Sequence, residues 1–84
     1  MDLKDTALLM SSEDCKDRLC AEYAQLTIRM QKLQRMLHQM SEDKPHTIPN
    51  STSELMVGQL RAMMNYQQFL VARAECEGIP LPKM

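Results

Sequence analysis

The stretch RLCAEYAQLTIRMQKLQRMLHQM, residues 18–40, decides the fold. It holds neither proline nor glycine, and its apolar residues recur at alternating intervals of four and three, which is the spacing of one continuous helix face. That face consists of Leu19, Tyr23, Leu26, Met30, Leu33, Leu37 and Met40. Ser11 and Ser12 stand as caps before an acidic first turn, so the sequence predicts a helix over 13–41.

A second helix is predicted after a segment rich in turn residues. The segment SEDKPHTIPNSTS, residues 41–53, ends the first helix because it contains two prolines, and we assign a loop to 42–52. Ser51 and Glu54 have the spacing of a capping box. With the apolar spacing that follows, they predict a helix over 53–77.

The two ends of the chain are predicted to be non-helical. Gly78 suits the position after the last helical turn, and the prolines that follow it cannot continue a helix, so 78–84 is predicted to be an extended tail. Residues 1–12 form a short N-terminal segment of mixed character. The whole chain, 1–84, is small enough for a single domain.

The two predicted helices pair antiparallel as a helical hairpin, because one loop joins them. In such a hairpin, residues whose numbers sum to roughly 96 lie opposite each other, which pairs Leu33 with Met63 and Leu26 with Leu70. Further apolar residues lie off this seam: Cys20, Ala24, Ile28, Met36, Met64, Phe69 and Val71. Two helices cannot cover them, so we predict an all-α hairpin that assembles into a homo-oligomeric helical bundle.

Composition and charge exclude several classes of protein. Ten Lys and Arg against eleven Asp and Glu give a net charge of −1, so the chain lacks the positive field that attracts duplex DNA. No run reaches the ~20 apolar residues of a membrane span, and the N-terminal MDLKDTALLM has no basic export signal. The three cysteines are odd in number and lack metal-ligand spacing. We therefore expect a cytoplasmic protein with reduced thiols, without a metal and without a cofactor.

The sequence offers no catalytic set. His38 and His46 are the two histidines, and the sequence offers no plausible proton relay around either of them. Two glycines are too few for a phosphate-binding loop. We predict that the protein is not an enzyme.

Basic residues cluster on one side of the first helix. Arg29, Lys32 and Arg35 recur every three residues without an intervening acid. In the assumed register Arg61 lies near the level of Arg35, and Tyr66 near that of Arg29. Such a group suits an anion site, with the cations on phosphates and Tyr66 stacked on a base. The alternative is a solvated cationic face without a ligand.

Two patterns give a resemblance to a known family. The second helix reads QLxxMxxYxxxLxxR over 59–73, and the first holds RxxxExxxL over 18–26. Over about residues 15–78 the chain resembles the small two-helix accessory proteins of tailed phages and prophages, a family typified by a protein of a crAss-like gut phage. The proline-containing loop, Gly58 and the GIPLPKM tail depart from that family's pattern.

The resemblance implies a viral accessory protein in a bacterial cytoplasm, and several such helical oligomers sequester nucleotide signals of host defence. The leading hypothesis is a non-enzymatic oligomeric protein that binds a small anionic cyclic nucleotide in pockets between protomers. The residues assigned to these pockets are Arg29, Lys32, Arg61, Tyr66 and Arg73. The rival hypothesis is an interaction module that docks an apolar helical face on a host or viral protein. Glu22 lies near Arg73 in the register and is assigned an ion pair with it.

Overall fold

The computed structural model describes residues 1–42 and 50–84. Three helices follow in chain order: α1, Leu3–Met10; α2, Cys15–Glu42; and α3, Asn50–Glu77. No strand occurs in these two ranges, so the predicted all-α class is confirmed. Within the same ranges no helix combines the length and the apolar character that crossing a membrane requires. Most of the predicted loop, with His46, lies outside the described residues.

The short helix α1 corrects the sequence analysis, which expects a mixed segment over 1–12 and only two helices. Asp2 and Asp5 form a capping box, in which the side chain of each accepts the backbone N–H of the other at 3.0 Å. The N–H of Asp5 lowers the pKa of the Asp2 carboxyl. Thr6 is buried, and its hydroxyl donates to the Leu3 carbonyl at 2.7 Å. Neither the capping box nor the burial of Thr6 depends on apolar periodicity, which explains why the apolar pattern did not predict α1.

The start of α2 also differs from the prediction. The helix begins at Cys15, and the hydrogen bonds to Asp14 make this residue its cap in place of Ser11 or Ser12. The Asp14 carboxylate accepts the backbone N–H of Lys16 at 2.9 Å, which satisfies one of the free donors of the first turn. An acid at this position also interacts favourably with the helix dipole.

Side chains from α2 hold the turn between α1 and α2. The Ser12 hydroxyl accepts the N–H of Asp14 at 3.1 Å and donates to the Asp17 carboxylate at 3.0 Å. Arg18 reaches back so that its Nη1 donates to the carbonyls of Ser12 at 2.9 Å and Glu13 at 3.0 Å. These bonds give Arg18 the structural role of fixing the turn.

The helix ends that flank the loop lie close to their predicted positions. α2 ends at Glu42, one residue beyond the prediction, and α3 begins at Asn50, three residues before the predicted start at Ser53. Ser51 therefore lies inside α3. The capping box assigned to Ser51 and Glu54 is wrong as a start signal, because the helix has already begun.

The end of α3 confirms the role predicted for Gly78. Its φ of 67° lies in the left-handed region that favours glycine. The backbone N–H of Ile79 donates to the Ala74 carbonyl at 2.8 Å, and that of Gly78 donates to the Glu75 carbonyl at 3.3 Å. This pair of bonds is a Schellman motif, and it ends α3 at Glu77 as predicted.

α2 is the central helix and packs against both α1 and α3. The side-chain amide of Gln67 donates to the Thr27 hydroxyl at 2.9 Å, so paired residues of α2 and α3 have numbers that sum to 94 at this point, close to the predicted register. Leu26 and Leu70 share the core, as that register requires. The buried members of the core are Leu19, Leu26, Met30, Leu70, Ala74 and Ile79.

The tail after α3 folds back onto α2. Ile79 is buried in the core and Leu81 packs against it. The Cys20 thiol donates to the Pro80 carbonyl at 3.5 Å, and burial raises the pKa of this thiol. The extended tail is therefore part of the folded unit.

The apolar residues off the predicted seam fall into two groups. Ala24 is buried, and Ile28 is half-buried beside the first residues of α1. Met36, Met64 and Phe69 are exposed. α1 and the tail thus cover part of the surface for which the sequence predicts a second copy, and the homo-oligomer stays a prediction.

Candidate functional site

A shallow groove lies where α2 meets α3 and the end of α1. Its volume is about 340 Å³, and it is lined by Met10, Glu22, Gln25, Leu26, Arg29 and Tyr66. The four α2 residues are spaced i, i+3, i+4 and i+7, which places them on one face of the helix. Tyr66 joins them because the neighbouring Gln67 is hydrogen-bonded to Thr27 of α2.

The groove presents a cation, an anion and an aromatic ring around an apolar floor. Arg29 is exposed and offers guanidinium donors, whereas the half-buried Glu22 offers carboxylate acceptors. Tyr66 is 44% exposed, so much of its ring is accessible, and the buried Leu26 forms the floor. A ligand that carries a phosphate together with hydrogen-bond donors suits this arrangement, because the Glu22 carboxylate repels a bare anion.

The structure brings two of the five predicted ligand-binding residues together, Arg29 and Tyr66. Lys32 lines a separate groove of about 410 Å³ against the first residues of α1. Arg61 and Arg73 are exposed on α3 and do not line either groove. One protomer therefore does not assemble the five residues into a single site.

Arg35, the last residue of the basic stripe, lines a third groove of about 480 Å³. The other residues that line it are Gln31, Gln34, His38 and Gln39. All of them belong to α2, so this surface is a shelf along one helix. Among the described residues that line it, His38 has the one aromatic ring and no second helix contributes a wall, so it is a weaker candidate than the groove at Arg29.

Glu22 and Gln25 are the groove residues that sequence reasoning missed as ligand contacts. The sequence analysis pairs Glu22 with Arg73, but the structure places it in the groove with Arg29 and Tyr66. A usable signal was present, because Gln25 and Glu22 lie on the face of Arg29, one and two turns toward the N-terminus respectively.

Comparison with protein-family models identifies the family of the chain. A protein-family model described as Sequestin matches residues 13–76, which is more than half of the chain. The chain belongs to the Sequestin family. In this Sequestin, α1 precedes the matched range, and all five predicted ligand-binding residues lie inside it. The comparisons with curated proteins and with solved structures gave no match.

The matched range is close to the range over which the sequence resembles two-helix phage proteins. The family description does not mention a phage, so a viral origin of this Sequestin stays a proposal. The cysteines, which the sequence analysis reads as reduced, are free thiols at Cys15, Cys20 and Cys76. Among the described residues, no three His, Cys, Asp or Glu side chains converge as metal ligands do.

Proposed function

We propose that this Sequestin binds and sequesters a small anionic ligand, a cyclic nucleotide, without converting it. The observation that carries the proposal is the groove at Arg29 and Tyr66, which combines a guanidinium with an accessible aromatic ring. The family description, Sequestin, supports a protein that acts by holding a ligand. The volume of the groove lies in the lower part of the range of small-molecule sites, which is roughly 300–1,000 Å³.

Each groove residue has a role that follows from its chemistry. Arg29 donates two parallel N–H bonds to a phosphate. Tyr66 stacks on the base, and Leu26 excludes water beneath it. Glu22 accepts hydrogen bonds from a ribose hydroxyl or a base N–H, which distinguishes a nucleotide from inorganic phosphate.

Sequestration works by stoichiometry, so it requires tight binding and no turnover. The setting that suits such a protein is a phage that lowers the concentration of a nucleotide signal of host defence in the bacterial cytoplasm. In this setting the free signal falls as the protein accumulates, and the receptor of the signal is never activated. The proposal includes an oligomer, because assembly multiplies the number of grooves per particle.

Isothermal titration calorimetry with cyclic dinucleotides and cyclic ADP-ribose isomers tests the proposal. We expect one of these ligands to bind, and Arg29→Ala to weaken its binding by at least about 2 kcal/mol. Tyr66→Ala should cost ~1–3 kcal/mol through lost stacking, whereas Tyr66→Phe should retain most of the affinity. Arg61→Ala is the matched control, since Arg61 is exposed on α3 outside the groove.

Three results would overturn the proposal. The first is the absence of binding heat with every nucleotide of the panel. The second is an equal loss of affinity in Arg29→Ala and Arg61→Ala, because binding would then not take place in the groove. The third is recovery of a chemically altered ligand by chromatography, because the protein would then be an enzyme.

The rival function is docking on a host or viral protein. It is favoured by the exposure of Met36 and Met64, which are 42% and 47% accessible. Flexible thioether side chains adapt well to a foreign surface. A pull-down from bacterial lysate tests this rival. A stoichiometric protein partner that Met64→Glu loses and Arg29→Ala retains would favour protein docking over nucleotide binding.

A further inference from the structure

A second apolar strip runs along α3 on the side that faces away from the core. We call it the α3 strip, and it consists of Leu55, Gly58, Ala62, Asn65, Phe69, Ala72 and Cys76. Its members alternate at intervals of three and four, which is the spacing of a helix–helix seam. At about 100° per residue, the strip lies roughly 150° around α3 from the core residues. α3 therefore carries two seams, and one of them packs on α2.

Every residue of the α3 strip is exposed. Leu55 is 75% accessible and Phe69 is 71% accessible, which are high values for large apolar side chains. In the part of the chain that the structure describes, α1 packs on α2, and the tail packs against the core residues that α2 and α3 share. No charged residue interrupts the strip over its length. The strip thus has the composition of a buried contact that a single protomer leaves open.

Gly58 gives an independent reason to expect a partner on this strip. Glycine inside a helix costs about 1 kcal/mol relative to alanine as a matter of intrinsic propensity. A Cβ at Gly58 would find no heavy atom within 4 Å, apart from its own helix backbone and chain neighbours, so nothing within the described chain requires glycine there. A small residue on a helix surface allows another helix to approach closely, which is the use that the position suggests.

The order of large and small residues indicates which partner suits the strip. When the strip is read in the reverse direction against itself, each large side chain meets a small one. The facing pairs are Leu55 with Cys76, Gly58 with Ala72, Ala62 with Phe69, and Asn65 with itself. A parallel pairing would instead set Phe69 against Phe69 and Leu55 against Leu55, so that large side chains meet each other, which a close-packed seam accommodates poorly.

We propose that a second copy of this Sequestin covers the α3 strip in antiparallel orientation, with a two-fold axis at Asn65. Self-complementarity about one point is what a two-fold interface between identical chains requires. A lone Asn in an apolar seam fixes register, because only one alignment pairs the two amides. This inference concerns assembly and does not depend on the ligand of the groove.

The length of the strip is sufficient for a stable dimer. From Leu55 to Cys76 the helix extends over roughly 32 Å. Two helices in contact over that length bury on the order of 1,000 Å² in total, which is the lower limit for a specific interface. Phe69 lies in the second half of each strip, so an antiparallel pair buries one Phe on either side of the axis.

Sedimentation equilibrium at tens of micromolar tests the dimer. The unmodified chain should sediment at twice the 9.7 kDa of one copy, and Phe69→Glu should raise the dimer dissociation constant by at least about 100-fold, because it places two charges in an apolar contact. Met64→Glu is the matched control, since Met64 is exposed on the same helix but lies off the strip. Circular dichroism should show that both variants keep the helix content of the unmodified chain.

Cross-linking tests the orientation. In a Cys15→Ser background, the antiparallel model keeps the Cys76 thiols of the two copies about 32 Å apart, so oxidation should give no disulfide. Adding Leu55→Cys should give a cross-linked dimer through Cys76, and further Cys76→Ser should abolish it. A Cys76–Cys76 bond without Leu55→Cys would indicate a parallel pair and overturn the orientation.

A folded monomer of the unmodified chain would overturn the inference, and so would a dimer that Phe69→Glu leaves intact. A larger particle formed with a bacterial protein through Phe69 would also overturn it, because the occupant would then be foreign. The groove at Arg29 lies within one protomer. Loss of the dimer with nucleotide binding retained would therefore refute this inference and the oligomer that the proposed function includes, and would leave nucleotide binding in the groove standing.

Discussion

Gly78 shows how one residue ends an element. Its positive φ lies in a region that costs other L-residues roughly 1–2 kcal/mol. Two backbone hydrogen bonds, donated by Gly78 and Ile79 to carbonyls of the last turn of α3, depend on that conformation. The sequence identifies the position because glycine follows the last helical turn and the chain then continues with a proline.

We expect Gly78→Ala to lower the free energy of unfolding by about 1 kcal/mol in urea denaturation followed by circular dichroism. Gly58→Ala is the matched control and should have the opposite sign, because Gly58 lies within α3 with open space beside it. Both variants should be made in Phe69→Glu, so that self-association does not contribute. The same sign for both would contradict the role given to Gly78.

The basic stripe shows why residue spacing predicted only part of the site. Residues three apart differ by about 60° around a helix, so the direction drifts by about 120° between Arg29 and Arg35. The structure reflects this drift, because Arg29, Lys32 and Arg35 line three different grooves. The pairing of Arg29 with Tyr66 was predictable, since it follows from the register of α2 and α3 alone.

At the scale of the element, α1 is the helix that the sequence did not predict. It has eight residues, and isolated helices of that length are unstable in water. Its stability comes from the Asp2 and Asp5 capping box and from the burial of Thr6 against the rest of the fold. Burial of a threonine is a tertiary effect, and periodicity within a short segment does not report it.

The cap of α2 gives a prediction at the same scale. Asp14→Ala should lower the free energy of unfolding by ~1 kcal/mol, because the N–H of Lys16 loses its acceptor. Ser11→Ala is the control, since within the described chain the Ser11 hydroxyl donates to the Leu8 carbonyl at the exposed end of α1 and caps no group of α2. Chemical denaturation of the two variants side by side measures the difference. A larger effect for Ser11 would restore the cap that the sequence suggested.

At the scale of the whole molecule, the register of α2 and α3 and the core between them were predictable from the sequence. The packing of α1 and of the tail on α2 was not. The position of the predicted loop fixes which residues of α2 and α3 lie opposite each other, which is why Leu26 and Leu70 were placed correctly. The tail lies against Cys20 and the first residues of α1 lie beside Ile28, and tertiary packing sets the directions of both segments. An apolar surplus on a helix therefore does not by itself distinguish a second copy from a terminal segment.

The tail provides the test of this packing. Ile79→Ala should lower the free energy of unfolding by about 2 kcal/mol or more, because the side chain is buried in the core beyond the end of α3. Leu8→Ala is the matched control, with a side chain that is 76% exposed and should change stability by less than about 0.5 kcal/mol. Equal small effects in thermal unfolding would mean that the tail does not dock.

The central position of α2 has a consequence for local opening of the chain. Among the helices that the structure describes, α1 packs on α2 alone, so it can detach without breaking any contact between α2 and α3. The amide hydrogens of α1 then exchange with solvent through a low-energy local fluctuation, while those of α2 and α3 wait for global unfolding. Met10, at the end of α1, leaves the rim of the groove each time this happens, and a bound ligand that touches it slows the exchange of α1.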